Sequence, residues 1–100
     1  MNLYYDRQGH PITLKTFGKL IEDLDYRRIL ETTLPDGKWV STVWLGINHQ
    51  FGQGPPLIFE TMVFESRDNL SDIACQRYST EDDAIIGHQE MVAQYQLSEP

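Results

Sequence analysis

The stretch Leu57–Phe64 places the strongest constraint on the fold, because it is apolar everywhere except at Glu60 and Thr61. A run of this length and composition is typical of a strand in the middle of a sheet, covered on both faces. Such a strand needs partner strands on both sides and further elements packed over it. In a chain of 100 residues, this leaves room for one hydrophobic core, so we expect a single domain over residues 1–100.

Segments on both sides of this strand also carry strand signals. Tyr26–Leu34 contains β-branched and aromatic residues, and the turn Leu34–Lys38, with its proline and glycine, leads into the alternating segment Trp39–Leu45. Ile73–Tyr78 alternates more weakly, and Leu3–Tyr5 is a short edge-strand candidate. We therefore predict a hairpin, two further strands and a short strand near the start of the chain.

Two segments have helical spacing. In the first, which follows the N-cap candidate Thr13, the apolar positions are Leu14, Phe17, Leu20, Ile21 and Leu24. In the second, the shared face consists of Ala84, His88, Met91, Val92 and Tyr95. The second helix has the clearer start, since Ser79 and Thr80 offer hydroxyl caps and the next three residues are carboxylates, which favour the positive end of the helix dipole.

The element order β-α-β-β-β-β-α predicts an α+β fold. We expect an antiparallel sheet of about four strands with both helices packed on one face. The other face would then present Trp39 or Trp44 together with alternate residues of Leu57–Phe64. A monomer should avoid exposing such a surface, so the pattern favours association with a partner or formation of a homodimer.

Composition excludes several classes of function. The chain has eight basic and fifteen acidic residues and a formal charge of −7, which is the wrong sign for holding a phosphate backbone, so we expect no nucleic-acid partner. No apolar run approaches the roughly 20 residues that span a bilayer, and no leader pattern is visible, so we expect no membrane partner and a cytoplasmic location. The single cysteine and three scattered histidines form no spaced ligand motif, so we expect no metal and no other cofactor.

The long connection Gly46–Pro56 joins two of the most apolar strands and is a candidate binding loop. The commoner situation for such a loop is structural, with Phe51 closing the end of the core. The functional interpretation is a docking loop that uses His49, Gln50, Phe51 and Gln53. Both interpretations stay open at this point.

Glu60 needs a partner or exposure to solvent, because an unpaired carboxylate is costly to bury. It could lie opposite Arg27 or Arg77 on a neighbouring strand, which is the simpler interpretation. Alternatively, His49, Glu60 and His88 could form the proton-transfer or ligand set of a small hydrolase-like or metal-binding protein. His88 itself lies on an apolar helix face, where a histidine is more often hydrogen-bonded in a core than catalytic.

Two further side-chain groups are candidates for a function. Cys75 could act as a nucleophile, although a lone strand cysteine is usually a small buried hydrophobe. Glu81, Asp82 and Asp83 suit the helix dipole and could also steer a basic protein partner.

Several short motifs in the central part of the chain resemble those of a family of small proteins encoded by bacteriophages and by prophage-bearing bacteria. They cover roughly positions 26 to 95 and consist of Ser41–Gly46, His49, Phe51–Gly52, Gly54–Met62, Arg77–Thr80 and Gly87–His88. The resemblance implies a genomic setting and no activity, cofactor or catalytic residue. We therefore expect a small acidic accessory protein that docks on a host or phage protein through the 46–56 loop, the open sheet face or the acidic start of the second helix.

Overall fold

The computed structural model describes residues 2–96, which form six strands and three helices. In chain order these elements are β1 (Tyr4–Tyr5), β2 (Pro11–Ile12), α1 (Leu14–Ile21), α2 (Leu24–Arg27), β3 (Arg28–Thr33), β4 (Trp39–Trp44), β5 (Phe59–Phe64), β6 (Asp72–Tyr78) and α3 (Glu81–Gln96). None of the helices within this part of the chain is long and apolar enough to cross a membrane.

The four longer strands form one antiparallel sheet in the order β3-β4-β5-β6. In its register, Trp44 lies opposite Phe59 at one end of β4 and Trp39 lies opposite Phe64 at the other. The most apolar segment therefore occupies an internal position as β5, as its composition predicts. The four-stranded antiparallel sheet with helices packed on it confirms the expected α+β class.

One face of this sheet is buried beneath α3. Strand alternation places the fully buried residues of β4 and β5 on this face: Val40, Thr42, Trp44, Phe59, Thr61 and Val63. From α3, Ala84 and His88 are buried against the sheet, while Met91 and Val92 pack at the edge of the core. The helical face predicted from sequence spacing is therefore the face that α3 buries.

The first helix covers the same side of the sheet. Phe17, Leu20 and Ile21 of α1 pack against the cluster formed by Trp44 and Phe59. Neither α1 nor α3 covers the opposite side, and α2 reaches its edge, where Leu24 and Arg27 line a cavity with Trp39 and Val43. The expectation that β5 is covered on both faces was wrong, because α1 and α3 pack on the same side of the sheet.

The N-terminal third differs in detail from the prediction. The first helix ends at Ile21, and the Asp23 carboxylate then accepts hydrogen bonds from the backbone N–H groups of Asp25 and Tyr26, both at 3.1 Å, which begins a separate one-turn helix. Leu24 therefore belongs to α2 and not to α1. The first strand pairs with an unpredicted partner, β2, in a two-stranded sheet of its own.

Candidate interaction surface

The β4–β5 connection is held by its own side chains. Asn48 accepts hydrogen bonds at Oδ1 from the N–H groups of Gln50 (2.8 Å) and Leu57 (3.1 Å), which ties the two ends of the loop together. The side-chain amide of Gln50 donates to the carbonyl of Pro55 and accepts from the N–H of Gly52, both at 3.3 Å. These bonds satisfy loop backbone groups locally and give the tip a defined shape.

Phe51 lies at the tip of this loop and is 95% exposed. The interpretation in which Phe51 closes the end of the core was therefore wrong, because Ile58, Phe59 and Trp44 already fill that end. Gln53 is also exposed, and His49 is half-buried at the base of the loop. An exposed aromatic ring on a hydrogen-bonded loop is a typical anchor for a protein partner.

The loop borders the uncovered face of the sheet. A groove of about 430 Å³ is lined on one side by the loop residues His49 and Phe51 and on the other by Cys75 and Arg77 of β6. Cys75 lies opposite Met62 in the sheet register and Arg77 lies opposite Glu60, so both belong to the uncovered face. The loop tip and the uncovered face therefore form one continuous surface.

Apolar side chains occupy the middle of that face. Trp39 and Phe64 stack across β4 and β5, with ring centroids 5.3 Å apart. Val43 and Met62 lie on the same face of the two strands, opposite Glu60 and Ser41 respectively, and all four apolar side chains are partly exposed. We call these four residues together with Phe51 the docking surface. It corresponds to the aromatic face expected from the sequence.

Ion pairs flank the docking surface. Arg77 contacts the Glu60 carboxylate at 3.0 Å, which confirms the simpler interpretation of that glutamate. On the other flank, Glu31 pairs with Arg28 at 3.3 Å and with Arg67 at 3.9 Å. Arg28 also contacts the Asp25 carboxylate at 3.7 Å, so groups of both charges border this face.

Cys75 is exposed on the same face, which contradicts the expectation of a buried cysteine. Its thiol lies 3.4 Å from Oε2 of Glu60. Partial burial, followed by the nearby Glu60 carboxylate, raises the pKa of the Cys75 thiol. The group is therefore a neutral thiol at pH 7, and this environment does not favour a nucleophile.

His88 lies on the opposite side of the sheet, in a buried network of hydroxyl groups. Its Nδ1 is 2.7 Å from the hydroxyl of Thr42, and its Nε2 is 2.8 Å from that of Thr32. The Thr42 hydroxyl also contacts that of Thr61 at 2.5 Å, and Thr61 in turn bonds the hydroxyl of Tyr78. One hydroxyl from each of the four strands thus takes part. Burial lowers the pKa of His88, which favours the neutral imidazole.

The structure does not bring His49, Glu60 and His88 together. His88 is 2% exposed beneath α3, Glu60 is ion-paired on the other face, and His49 lines the groove beside the loop. Within residues 2–96 no group of three His, Cys, Asp or Glu side chains is placed to hold a metal ion. Sequence reasoning missed the hydroxyl network, whose signal was the presence of Thr42 and Thr61 at otherwise apolar core positions.

The acidic start of α3 has a structural partner. Glu81 accepts two hydrogen bonds of 2.8 Å from the Arg7 guanidinium, and this contact lowers the pKa of Glu81. Asp82 and Asp83 remain exposed, and the hydroxyl of Thr80 accepts from the N–H of Asp83 at 3.1 Å. A cavity of about 530 Å³ lies beside these residues, but the charged pair that lines it is already mutually satisfied.

The fold and the surface together define a small α+β protein with one covered and one open sheet face. Comparisons of the chain with protein-family models, with curated proteins and with solved structures find no match in any of the three. The physical properties of the surface are therefore the basis for assigning a function.

Proposed function

We propose that the protein acts by protein–protein interaction, using the docking surface defined above. The observation that carries this proposal is that four of the six outward positions on the two central strands are apolar, Trp39, Val43, Met62 and Phe64, while α1 and α3 pack on the opposite face. Contiguous apolar patches of this kind on soluble domains mark interaction sites.

The composition of the surface agrees with this role. Aromatic residues, methionine and arginine are enriched at protein interfaces, and large rigid rings supply contact area at a small cost in conformational entropy. Phe51 adds a projecting ring at one border, and Arg67, whose guanidinium lies 4.9 Å from the Trp39 ring, adds a planar cation at the other. Ion pairs at the rim would then set orientation and specificity more than affinity.

The partner we propose is a host or phage protein in the cytoplasm of a bacterial host. This setting comes from the resemblance to bacteriophage proteins, and the charge of −7 supports a protein over a nucleic acid. A second copy of the chain is the competing occupant of the same surface. The alternative of a hydrolase-like or metal-binding protein has no support from geometry, because its three candidate residues lie in separate environments.

Affinity capture with matched variants tests the proposal. Tagged protein is cross-linked in lysate of the bacterial host, and the captured proteins are quantified for the wild type, Met62→Lys and Leu14→Lys. Met62 lies at the centre of the docking surface, whereas Leu14 is 63% exposed on α1 and serves as the control. We expect at least one partner to be retained by the control and reduced about tenfold by Met62→Lys, as for loss of a central interface residue.

Two results would contradict the proposal. One is a partner list that is the same for Met62→Lys as for the wild type, with both variants folded by circular dichroism. The other is a stable homodimer in sedimentation that Met62→Lys converts to monomer, which would assign the surface to a second copy.

A further inference from the structure

Two buried nitrogen donors on the open side of the sheet have no hydrogen-bond partner. They are Nε1 of Trp39 and Nε of Arg27, and no acceptor in residues 2–96 reaches either of them. The other tryptophan is different, because Nε1 of Trp44 donates to the carbonyl of Tyr5 at 3.0 Å. Buried donors in folded proteins are nearly always satisfied by protein or by ordered water, so these two donors can each take an acceptor from outside the described chain.

Both donors belong to residues that line the same cavity. This cavity measures about 160 Å³ and lies between α2, β3 and β4, with Ser41 and Val43 of the open face in its wall and Leu24 at its edge. It therefore adjoins the docking surface. Its size suits one side chain and not a larger metabolite.

The cavity also holds an arginine without a counter-ion. Within the described chain no carboxylate lies within ion-pair distance of Arg27, although Arg28, Arg67 and Arg77 all have carboxylate partners. Glu31 also lines the cavity, but its two oxygens contact Arg28 and Arg67. The chain has fifteen acidic residues, and none of those described neutralises this half-buried guanidinium.

We propose that this cavity receives the carboxylate of an aspartate or glutamate side chain on the protein partner. A carboxylate is purely an acceptor, and its charge complements that of Arg27. Leu24 and Val43 offer apolar contact for the methylene groups of the same side chain. The inference rests on the proposed function and adds the chemistry of the partner: an acidic residue flanked by apolar ones.

Entry into the cavity requires only a local rearrangement. Arg28 and Glu31 stand at its rim, and the ion pair that joins them is on the surface, where such pairs contribute little to stability. The inference requires that these side chains rotate to expose the two donors, whose nitrogen atoms are buried.

Nuclear magnetic resonance with sodium acetate provides the first test. The indole N–H signal of Trp39 and the Nε–H signal of Arg27 should shift in a saturable way, while that of Trp44 stays in place. Sodium chloride at the same ionic strength is the control for screening. Equal shifts in chloride, or no saturation, would overturn the inference.

Two short peptides provide the second test and distinguish a protein side chain from a free carboxylate. Acetyl-Leu-Glu-Leu-amide should bind about tenfold more tightly than acetyl-Leu-Gln-Leu-amide, as expected for a charge-assisted contact. The glutamate peptide should also bind more tightly than acetate. Equal affinities of the two peptides would overturn the inference, and acetate binding as tightly as the glutamate peptide would assign the cavity to small anions instead.

Variants separate this inference from the proposed function. Arg27→Gln and Trp39→Phe should each reduce the preference for the glutamate peptide to less than about threefold, while Lys19→Gln, on α1, should leave it unchanged. If Met62→Lys abolishes partner capture but the peptides show no preference, the inference fails and the proposed function stands. If the glutamate preference is present but Met62→Lys captures every partner, the proposed function fails and the carboxylate site stands.

Discussion

The buried network around His88 makes a sharp prediction about stability. Thr42→Val keeps the shape of a side chain that is fully buried on β4 but removes its hydroxyl. That hydroxyl lies 2.5 Å from Oγ1 of Thr61 and 2.7 Å from Nδ1 of His88. The substitution therefore leaves Nδ1 without a partner, whereas Thr61 keeps its bond to Tyr78.

The expected loss follows from two opposing contributions. A buried polar atom left unsatisfied costs about 1–3 kcal/mol. The new methyl group recovers about 0.8 kcal/mol by burial of apolar surface. The net loss in free energy of unfolding should be about 0.2–2 kcal/mol, and each 1 kcal/mol corresponds to a fall in Tm of roughly 4–8 °C for a domain of this size.

Urea unfolding followed by circular dichroism measures this loss, with Thr33→Val as the matched control. Thr33 is an exposed threonine on β3, so its replacement should change the free energy of unfolding by less than about 0.5 kcal/mol. No measurable loss for Thr42→Val, or equal losses in the two variants, would refute the proposed importance of the network.

Three further outcomes are expected. Burial lowers the pKa of His88 in the folded state, so the unfolded chain binds a proton at this residue at a higher pH than the folded protein does. The free energy of unfolding should therefore fall as the pH drops below about 6.5, by at most ~1.4 kcal/mol per pH unit. In thermal melts across pH 5–7, His88→Gln should remove this contribution. Gly87→Ala should destabilise the protein by about 1–3 kcal/mol in urea unfolding, since its Cβ would lie 2.1 Å from the hydroxyl of Tyr78. Gly18→Ala, in open space on α1, should stabilise the protein by up to about 1 kcal/mol. The opposite order of the two stabilities would contradict the packing around Gly87. Cys75 should react with iodoacetamide at pH 8 more slowly in the folded protein than in urea and faster in Glu60→Gln, and equal rates would show that the carboxylate has no influence on the thiol.

Local sequence patterns were sufficient for the elements with strong periodicity. The apolar run around Phe59 predicted an internal strand, and the hydroxyl caps with three carboxylates predicted the start of α3, because such signals depend only on neighbours along the chain. The helix boundaries near Asp23 were not predicted from the sequence. The spacing of the five apolar residues from Leu14 to Leu24 favoured one continuous helix, whereas in the structure the Asp23 side chain caps a separate four-residue helix.

The functional residues show the same division. The sequence indicated that the 46–56 loop is accessible and that Glu60 needs a cation, but it also allowed Phe51 to enter the core. Which alternative holds depends on whether the end of the core is already filled, and Ile58 fills it. Nothing along the chain indicated that Arg27 and Trp39 share a cavity, because they lie on different elements.

The amino-acid sequence by itself determined the α+β class and the inward direction of His88, since periodicity and capping are local properties. Only the tertiary structure decided which sheet face α1 and α3 leave open, which hydroxyls satisfy His88 and which two donors stay without an acceptor. Those outcomes depend on contacts between residues far apart in the chain, and the pairing register that brings such residues together is a property of the whole sheet.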